Sequence, residues 1–395
     1  INVLPVNNSA PPTLTRIKPT ENARPASSRV TPIGSAFAAP ASTVAPTSHE
    51  GAAMTVRVAV IGVGRMGASH ARVYSTLPDA GLVAVCDADS ARAADVAARF
   101  KTEALCDYRR LEGRVDAVSV AVPTTAHAEV CRFFLERGVS VLVEKPMTRT
   151  SAEAAELVSL SEESGAHLMV GHIERFNPAF MAIGEMNLRP LFIECDRISP
   201  FKFRCADVGV VFDLMIHDID IILHLAKSQV SRIDACGVSV MGIHEDVCNA
   251  RFVFETGCVA NVTASRVSTR SMRKIRIFCH DCYVTVDTGA RQTLVYRRSE
   301  KLNVEIGKML EAGATSLAGS SGLSFPELLD VTEVKLDDHE PLAKELEVFV
   351  GCVAAGIQPP VSGREGLEAV SLAEEVVKAS LAHTAKVSPE LRGNS

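Results

Sequence analysis

The stretch Val56-Arg57-Val58-Ala59-Val60-Ile61-Gly62-Val63-Gly64-Arg65-Met66-Gly67 decides the fold of this chain. An apolar strand runs into a G-x-G-x-x-G sequence that opens a helix, which is the context that a dinucleotide-binding loop requires. Gly62 permits the tight turn, Gly64 lets the backbone approach a pyrophosphate, and Gly67 allows close helix–strand packing. The free N–H groups and the positive dipole end of the helix then face the phosphates. The predicted cofactor contacts in this loop are Gly62, Gly64, Arg65, Met66 and Gly67.

The acidic residue after the second predicted strand bears on the choice of cofactor. Asp87 follows the strand Gly81–Cys86, twenty residues beyond Gly67. A carboxylate at this point accepts hydrogen bonds from the ribose hydroxyls and repels a 2′-phosphate. The sequence therefore predicts NAD in preference to NADP, with Arg92 as the nearby cation that would suit a 2′-phosphate.

Outward from this loop, short apolar strands alternate with helices as far as Gly171. Such alternation is typical of βαβ units and of a parallel sheet whose strands are buried on both faces. After about Asn177 several strands alternate apolar and polar residues, which predicts a large, mostly antiparallel open sheet. The predicted fold is thus an α/β Rossmann domain with a doubly wound parallel sheet, followed by an α+β domain.

Other segments of the second half have their own predictions. A helix spans Val211–Leu225, residues 301–331 form a long loop, and two helices, Pro341–Ala355 and Gly363–His383, follow it.

Length and composition divide the 395 residues into a tail and two domains. Residues 1–53 are rich in Pro, Ser, Thr and Ala without periodicity, and we expect a disordered extension because such a segment buries too little apolar surface to fold. Since Met54 directly precedes the first strand, we expect the natural chain to start there. Residues 54–175 are the predicted Rossmann domain, and residues 176–390 the predicted substrate-binding and oligomerisation domain.

Charge, hydropathy and cysteine usage exclude several classes of protein. A net charge of −6 and an aromatic content of 5% argue against a nucleic-acid partner. No uncharged apolar run of about 18 residues is present, so no transmembrane helix is predicted. Eleven cysteines without a secretion signal favour a reducing, cytoplasmic location. The lone C-x-x-C at Cys279–Cys282 lacks the further ligands of a zinc site, so no metal is predicted.

The tripeptide Glu144-Lys145-Pro146 ends the predicted strand Val139–Val143. Ligands of a doubly wound fold bind at the carboxyl ends of the strands, so Glu144 and Lys145 are predicted to lie beside the cofactor. A lysine in such a cleft can hydrogen-bond a reacting hydroxyl and take part in proton transfer. A surface salt bridge between Lys145 and Glu144 is the alternative interpretation.

The helix Val211–Leu225 carries a polar stripe on an otherwise apolar surface. Its members, at helical spacings of four, three and four, are Asp213, His217, Asp220 and His224. Asp213, one turn before His217, can orient the imidazole and stabilise its protonated form, which suits a group that accepts a hydroxyl proton. A buried polar network with a purely structural role is the alternative.

Taken in chain order, the glycine loop, Glu144-Lys145-Pro146 and Asp213-x-x-x-His217 resemble the Gfo/Idh/MocA family of sugar and inositol oxidoreductases. The resemblance covers about residues 54–390 and implies an open sheet that forms a homodimer or homotetramer interface. It also implies a cis bond before Pro146. The catalytic group that it implies is Lys145, Asp213 and His217, and its further cofactor contacts are Pro123, Thr124 and His127.

The stretch Gly171–Pro178, with Asp207–Asp213 and the residues after His217, resembles members that oxidise the 3-hydroxyl of UDP-N-acetylglucosamine. Arginines could supply cations for a diphosphate, here Arg175, Arg197 and Arg204. Alternatively, Arg175 and Asn177 tie the domain junction together. The substrate contacts predicted from this stretch are His172, Arg175, Asn177, Arg204 and His217.

These features predict an NAD-dependent dehydrogenase that oxidises a ring hydroxyl of a sugar nucleotide, with Lys145 and His217 relaying the proton. The substrate is then a small molecule, and neither nucleic acid nor membrane is an expected partner. An inositol or free-sugar dehydrogenase of the same family is the alternative substrate class. A non-catalytic dinucleotide-binding sensor is an alternative of another class, against which the complete set of Lys145, Asp213 and His217 argues.

Overall fold

The glycine-rich stretch lies at the end of a central strand in a parallel sheet. The computed structural model describes residues 55–201, 208–311, 313 and 325–387, which belong to one unit beginning at Ala52. The predictions for residues 1–53 and Met54 lie outside the described residues. The strands of the first sheet are β1 (Val56–Ile61), β2 (Ala80–Cys86), β3 (Glu103–Leu105), β4 (Ala117–Val120), β5 (Ser140–Glu144) and β6 (Leu168–Gly171).

Within the described residues these six strands pair in the order β3-β2-β1-β4-β5-β6, and every pairing is parallel. This is the strand order of a dinucleotide-binding doubly wound sheet, so the predicted Rossmann fold is confirmed. β4 and β6 are buried at each position, because helices cover the sheet. The helices between the strands are α1 (Arg65–Tyr74), α2 (Ser90–Phe100), α3 (Thr124–Leu135) and α4 (Ser151–Ser164).

A second sheet follows in the chain. Its strands are β7 (Phe192–Ile198), β8 (Val230–Val238), β9 (Val247–Phe254), β10 (Val259–Ser265), β11 (Met272–Phe278), β12 (Cys282–Asp287), β13 (Gln292–Arg298) and β14 (Leu329–Glu333). Within the described residues the order is β14-β13-β12-β11-β7-β10-β9-β8, and only β7 and β10 pair in parallel. Buried and more exposed residues alternate along β7, β9 and β10. The predicted antiparallel open sheet is therefore confirmed.

The helices of the second half are α5 (Pro178–Met181), α6 (Ile216–Ala226), α7 (Glu300–Glu311), α8 (Phe325–Leu328), α9 (Pro341–Ala355) and α10 (Gly363–Val387). One turn of π-helix, Val211–Met215, leads directly into α6. The predicted helix over Val211–Leu225 is therefore present, but its first turn is wider than an α-helical turn.

The prediction of a long loop over residues 301–331 was wrong for residues 301–311 and 325–331, while residues 312 and 314–324 lie outside the described residues. Residues Glu300–Glu311 form α7, and Leu329–Glu333 form β14 at the edge of the second sheet. Ser299 begins the helix, since its Oγ accepts a hydrogen bond from the Leu302 N–H at 3.2 Å. The Gly- and Ser-rich composition farther along the sequence outweighed this capping signal in the prediction.

The last two helices return to the first sheet. α9 packs against α1 and β1, while α10 packs against α4 and also against β8 of the second sheet. The N–H of Val170 in β6 donates to the carbonyl oxygen of Val361 at 3.0 Å. The chain after residue 340 therefore joins both sheets, and a domain boundary at residue 175 stays a prediction.

Cys279 directly follows β11, and Cys282 is the first residue of β12, so the two cysteines flank the turn of a hairpin. The Cys279 N–H donates to the Cys282 carbonyl oxygen at 2.9 Å, so this C-x-x-C forms the turn between β11 and β12. Among the described residues, no group of three or more His, Cys, Asp and Glu side chains is arranged to hold a metal ion. None of the described helices is both long enough and apolar enough to cross a membrane.

Candidate active site

The glycine loop has the geometry that close approach of a phosphate requires. Gly62 has φ +83°, a conformation that a side chain disfavours. A Cβ on Gly67 would stand 1.8 Å from the carbonyl oxygen of Gly62, so only glycine fits at this helix–strand contact. A Cβ on Gly64 would meet no atom within 4 Å, and Arg65 and Met66 are exposed beside it. Open space therefore lies at the N-terminus of α1, where a pyrophosphate fits.

Asp87, directly after β2, stabilises this loop through hydrogen bonds. Its Oδ2 accepts a hydrogen bond from the Val63 N–H at 2.8 Å, and its Oδ1 accepts one from the Asp89 N–H at 2.9 Å. Arg92 Nη1 lies 3.1 Å from Asp87 Oδ1. The loop, the helix end and Asp87 together fit NAD, whose pyrophosphate would meet the loop and whose adenosine ribose would meet Asp87.

We expect Asp87→Asn to weaken NAD binding by roughly 10-fold or more, because the ribose loses a charged acceptor and the loop loses part of its brace. We expect NADP binding to improve relative to NAD, since the charge that repels a 2′-phosphate is removed and Arg92 keeps only Asp89, at 3.2 Å, as a carboxylate partner. Titration calorimetry with both cofactors measures the two affinities. Asp95→Asn, on the exposed side of α2, is the control; an unchanged NAD-to-NADP preference in Asp87→Asn would contradict the role of Asp87.

The loop after β4 lies against the tripeptide that contains Lys145. Pro123 and Thr124 begin α3, and the buried His127 ring lies 2.9 Å from the Val122 carbonyl oxygen and 3.0 Å from that of Pro146. Burial lowers the pKa of His127. His127 therefore connects the loop after β4 with the loop that contains Lys145. We expect His127 to affect cofactor binding by holding these two loops in place, and not by touching the cofactor.

Lys145 connects the first sheet to the helix of the second. The Lys145–Pro146 bond is cis, as the resemblance implied. Lys145 Nζ donates to the Asp213 carbonyl oxygen at 2.7 Å and lies 4.0 Å from Asp213 Oδ1. Both side chains are about one-fifth exposed, at 21% and 19%. The ammonium group is therefore held in a cleft and not on the open surface, which disfavours the salt bridge to Glu144 as its main role.

His217 lies in the same cleft, one turn along the helix. Its ring stands 6.5 Å from that of the buried His172, edge to face. Burial, and next the positive charges of Lys145 and Arg197, hold the pKa of His217 well below its usual value. The imidazole is therefore neutral at neutral pH and able to accept a proton.

The expected contact between Asp213 and the His217 ring is not made. Among the described residues His217 Nδ1 has no hydrogen-bond partner, and the Asp213 carboxylate lies beside Lys145 instead. The reason is the π-helical turn, in which residues four apart are no longer stacked on one face. Asp213 therefore contacts Lys145 rather than the His217 ring.

Of the other members of the predicted polar stripe, Asp220 has an ion-pair partner and the His224 ring packs 6.1 Å from that of Phe180. Asp220 Oδ1 lies 3.3 Å from Arg175 Nη1, and Arg175 Nη2 also reaches Glu365 at 3.0 Å. Asn177 Oδ1 caps α5 through the Ala179 N–H at 3.1 Å. Asn177 Nδ2 also donates to the Thr288 carbonyl oxygen at 3.2 Å, so these contacts favour the alternative interpretation, and a substrate contact of Arg175 or Asn177 stays a prediction. Arg204 lies outside the described residues.

A buried ion-pair network that the sequence did not reveal supports the cleft. The Arg197 guanidinium donates hydrogen bonds to both carboxylate oxygens of Asp218, at 2.8 and 2.9 Å, and to Glu174 Oε1 at 2.8 Å. Arg197 is therefore neutralised and does not face a ligand. The three residues lie far apart in the chain, and no local pattern joins them.

Glu345 is a second buried group that the sequence analysis missed. It is 1% exposed, and neither carboxylate oxygen has a hydrogen-bond partner among the described residues. Burial, and next the charge of Glu144, raise the pKa of Glu345 well above its usual value. Glu144 Oε1 in turn lies 2.9 Å from His70 Nε2. The sequence did contain a sign of this burial. Glu345 occupies a position in the apolar stripe of α9 that includes Leu342, Leu346 and Phe349, and a residue at such a position faces the core.

We expect Glu345→Gln to be more stable than the parent protein at neutral pH and above. The folded protein holds a proton on Glu345 that the unfolded chain releases above its ordinary pKa, so the free energy of unfolding falls as pH rises above about 4.5. Glutamine does not ionise, so Glu345→Gln does not lose this part of the free energy of unfolding, which we expect to be on the order of 1 kcal/mol or more at neutral pH. Urea unfolding over a pH series measures it, with the exposed Glu347→Gln as control; parallel curves for parent and Glu345→Gln would contradict the assignment.

The fold and the glycine loop define a Rossmann-type dinucleotide-binding oxidoreductase. A family model described as "Oxidoreductase family, NAD-binding Rossmann fold" matches residues 56–172, and the GFO/IDH/MocA C-terminal domain model matches residues 197–285. The chain belongs to the GFO/IDH/MocA oxidoreductase family, and it is an NAD-dependent dehydrogenase. The family resemblance read from the sequence is confirmed.

The relatives named below differ in the substrate that their names give. The chain is 34% identical over 301 residues to UDP-N-acetylglucosamine 3-dehydrogenase of Acidithiobacillus ferrooxidans, covering 76% of this chain and 89% of the relative. It is 26% identical over 335 residues to inositol 2-dehydrogenase of Rhizobium meliloti, covering 82% and 97%. A solved structure of the former enzyme superposes with a TM-score of 0.73 at 32% identity, over 83% of this chain and 99% of that one. Levoglucosan dehydrogenase in complex with NADH shares the fold, with a TM-score of 0.69 at 18% identity over 83% and 97%.

Proposed function

We propose that this enzyme oxidises a ring hydroxyl of a sugar nucleotide, in the manner of a UDP-N-acetylglucosamine 3-dehydrogenase. The observation that carries the proposal is the Lys145–Asp213 contact of 2.7 Å, which brings a cation to the neutral His217 in one cleft at the end of the parallel sheet. The relative of this name, 34% identical, supports the choice of substrate.

The roles of the side chains follow from their charge states. Lys145 donates a hydrogen bond to the reacting hydroxyl, and Asp213 holds the ammonium group in place. His217 is neutral and accepts the hydroxyl proton. NAD, when bound, supplies the hydride acceptor. The positions of Lys145 and His217 let the proton leave as the carbon–hydrogen bond is broken.

An inositol or free-sugar dehydrogenase is the second candidate, and the 26% identity to an inositol 2-dehydrogenase favours it. Assays of NADH formation on UDP-N-acetylglucosamine, free N-acetylglucosamine and myo-inositol separate the candidates. We expect the highest kcat/KM on the sugar nucleotide. A higher kcat/KM on inositol would favour the second candidate. NAD binding without turnover of any of these compounds would favour a non-catalytic dinucleotide-binding sensor.

We further propose that the open sheet joins two copies of the chain into a homodimer or a larger homo-oligomer. Four aromatic side chains stack in a row on four adjacent strands, with ring centroids 5.6, 4.6 and 4.9 Å apart: Phe192, Phe278, Tyr283 and Tyr296. Such an aromatic row is typical of a protein interface. We also propose a reducing, cytoplasmic location, which the unpaired cysteines of the described residues support.

We expect Tyr283→Arg to shift the protein toward the monomer, because a charge in the middle of the aromatic row must be desolvated on association. Light scattering after size-exclusion chromatography measures the mass. Ile357→Arg places the same charge at an exposed residue outside the sheet and is the control. An unchanged mass in Tyr283→Arg, with the parent an oligomer, would place the interface elsewhere.

A further inference from the structure

A diphosphate substrate needs a cation in the cleft, and two of the three arginines predicted to supply it already pair with carboxylates of the protein. The side chains of Arg175 and Arg197 are 6% and 5% exposed, and each is paired with two carboxylates. Lys145 is engaged with Asp213. Within the part of the chain that the structure describes, a cation for a diphosphate must be another basic side chain that is both near His217 and accessible to solvent.

Arg273 meets both conditions. It lies in β11 directly opposite Arg197 of β7, and it shares a sheet face with the buried Ile275 and Ile277. Arg197, on that same face, pairs with Asp218 of α6, so the face is turned toward α6, whereas the neighbouring Lys274 points to the other face of the sheet. The Arg273 side chain is 53% exposed.

The present partner of Arg273 binds it only weakly. Arg273 Nη1 lies 3.4 Å from Glu174 Oε1, and the same oxygen already accepts a hydrogen bond from Arg197 at 2.8 Å. A half-exposed pair at this distance is worth little, so the guanidinium can exchange it for a stronger acceptor at small cost. Arg273 is also close enough to His217 for its charge to help lower the pKa of that imidazole. Arg273 shares Glu174 with Arg197, and Arg197 binds Asp218, the residue next to His217, so contacts in the structure connect Arg273 to the cleft.

We propose that Arg273 binds the diphosphate of the sugar nucleotide and so selects this substrate over uncharged polyols. The inference rests on the proposed function of the site. A guanidinium binds phosphate oxygens through two parallel hydrogen bonds, which fixes the direction of the ligand as well as its charge. An inositol or a free sugar offers no group of this kind, so Arg273 adds nothing to its binding.

The test compares Arg273→Gln with Arg99→Gln. Arg99 is a matched control because its side chain is 58% exposed and its one carboxylate partner, Asp95, is 3.9 Å away on α2. We expect Arg273→Gln to raise the KM for UDP-N-acetylglucosamine roughly 10- to 100-fold with a much smaller change in kcat. The Kd of UDP, measured by calorimetry with NAD present, rises by a similar factor, while the Kd of NAD and the melting temperature stay those of the parent.

Arg273→Lys keeps the charge but not the paired hydrogen bonds, and we expect it to recover part of the lost affinity. A KM and a UDP affinity within twofold of the parent in Arg273→Gln would overturn the role of Arg273 while leaving the proposed function intact. Absence of turnover on UDP-N-acetylglucosamine by the parent enzyme would overturn the proposed function instead. In that case UDP binding alone decides on Arg273: a loss in Arg273→Gln supports the anion site, and no loss overturns it.

Discussion

Replacing Lys145 by methionine is expected to lower kcat by roughly 10³-fold, and His217→Ala by about 10²- to 10³-fold. Lys145 is the cation of the cleft, held by the Asp213 carbonyl oxygen at 2.7 Å, and methionine keeps its length without its charge. His217 is the proposed base, and burial keeps its imidazole neutral by holding its pKa well below the usual value. Because neither side chain belongs to the glycine loop, we expect the Kd of NAD to change little.

Steady-state kinetics and calorimetry measure the two quantities separately. Calorimetry is the suitable binding assay here, since the chain has no Trp to report NAD binding by fluorescence. Lys308→Met, at an exposed position of α7, is the control for the charge change. Parent-like kcat in either Lys145→Met or His217→Ala would remove that residue from the chemistry.

Gly67→Ala is expected to have the largest effect on the Rossmann sheet. The added methyl group would stand 1.8 Å from the Gly62 carbonyl oxygen, a backbone atom that moves only if the turn at φ +83° moves with it. We expect a loss of roughly 2–4 kcal/mol in the free energy of unfolding and no measurable NAD binding.

Gly64→Ala is the matched comparison in the same loop. A Cβ there meets no atom within 4 Å, so we expect the stability without cofactor to stay close to that of the parent. NAD binding weakens all the same, because the methyl group occupies the space through which the backbone approaches the pyrophosphate. Equal stability of Gly67→Ala and Gly64→Ala would contradict this account of the loop.

Local sequence signals were enough to predict the parallel sheet and its cofactor loop. Apolar strands that alternate with helices leave little freedom in how the chain can pack, and Gly62–Gly67 combines a turn, a strand end and a helix start in one short stretch. The cis bond before Pro146 followed from the family resemblance. The antiparallel sheet was predictable because its burial alternates, as in β9.

What failed depended on tertiary contacts or on backbone geometry finer than the sequence pattern. The spacing of Asp213 and His217 assumes an α-helix, and one π-helical turn redirects Asp213 to Lys145. The Arg175 and Arg197 side chains form ion pairs with carboxylates from distant segments of the chain, and no rule of local spacing predicts such pairs. Residues 301–331 were misread because a short capped helix adjoins a Gly- and Ser-rich segment.

The most direct test of the proposed reaction is transfer of deuterium from UDP-N-acetylglucosamine labelled at carbon 3 of the sugar. The parent enzyme is incubated with this substrate and NAD, and the reduced cofactor is analysed by mass spectrometry. Oxidation of the 3-hydroxyl predicts a reduced cofactor that carries the deuterium, and His217→Ala forms little of it. Unlabelled reduced cofactor, or none from this substrate while myo-inositol is oxidised, would contradict the proposed reaction.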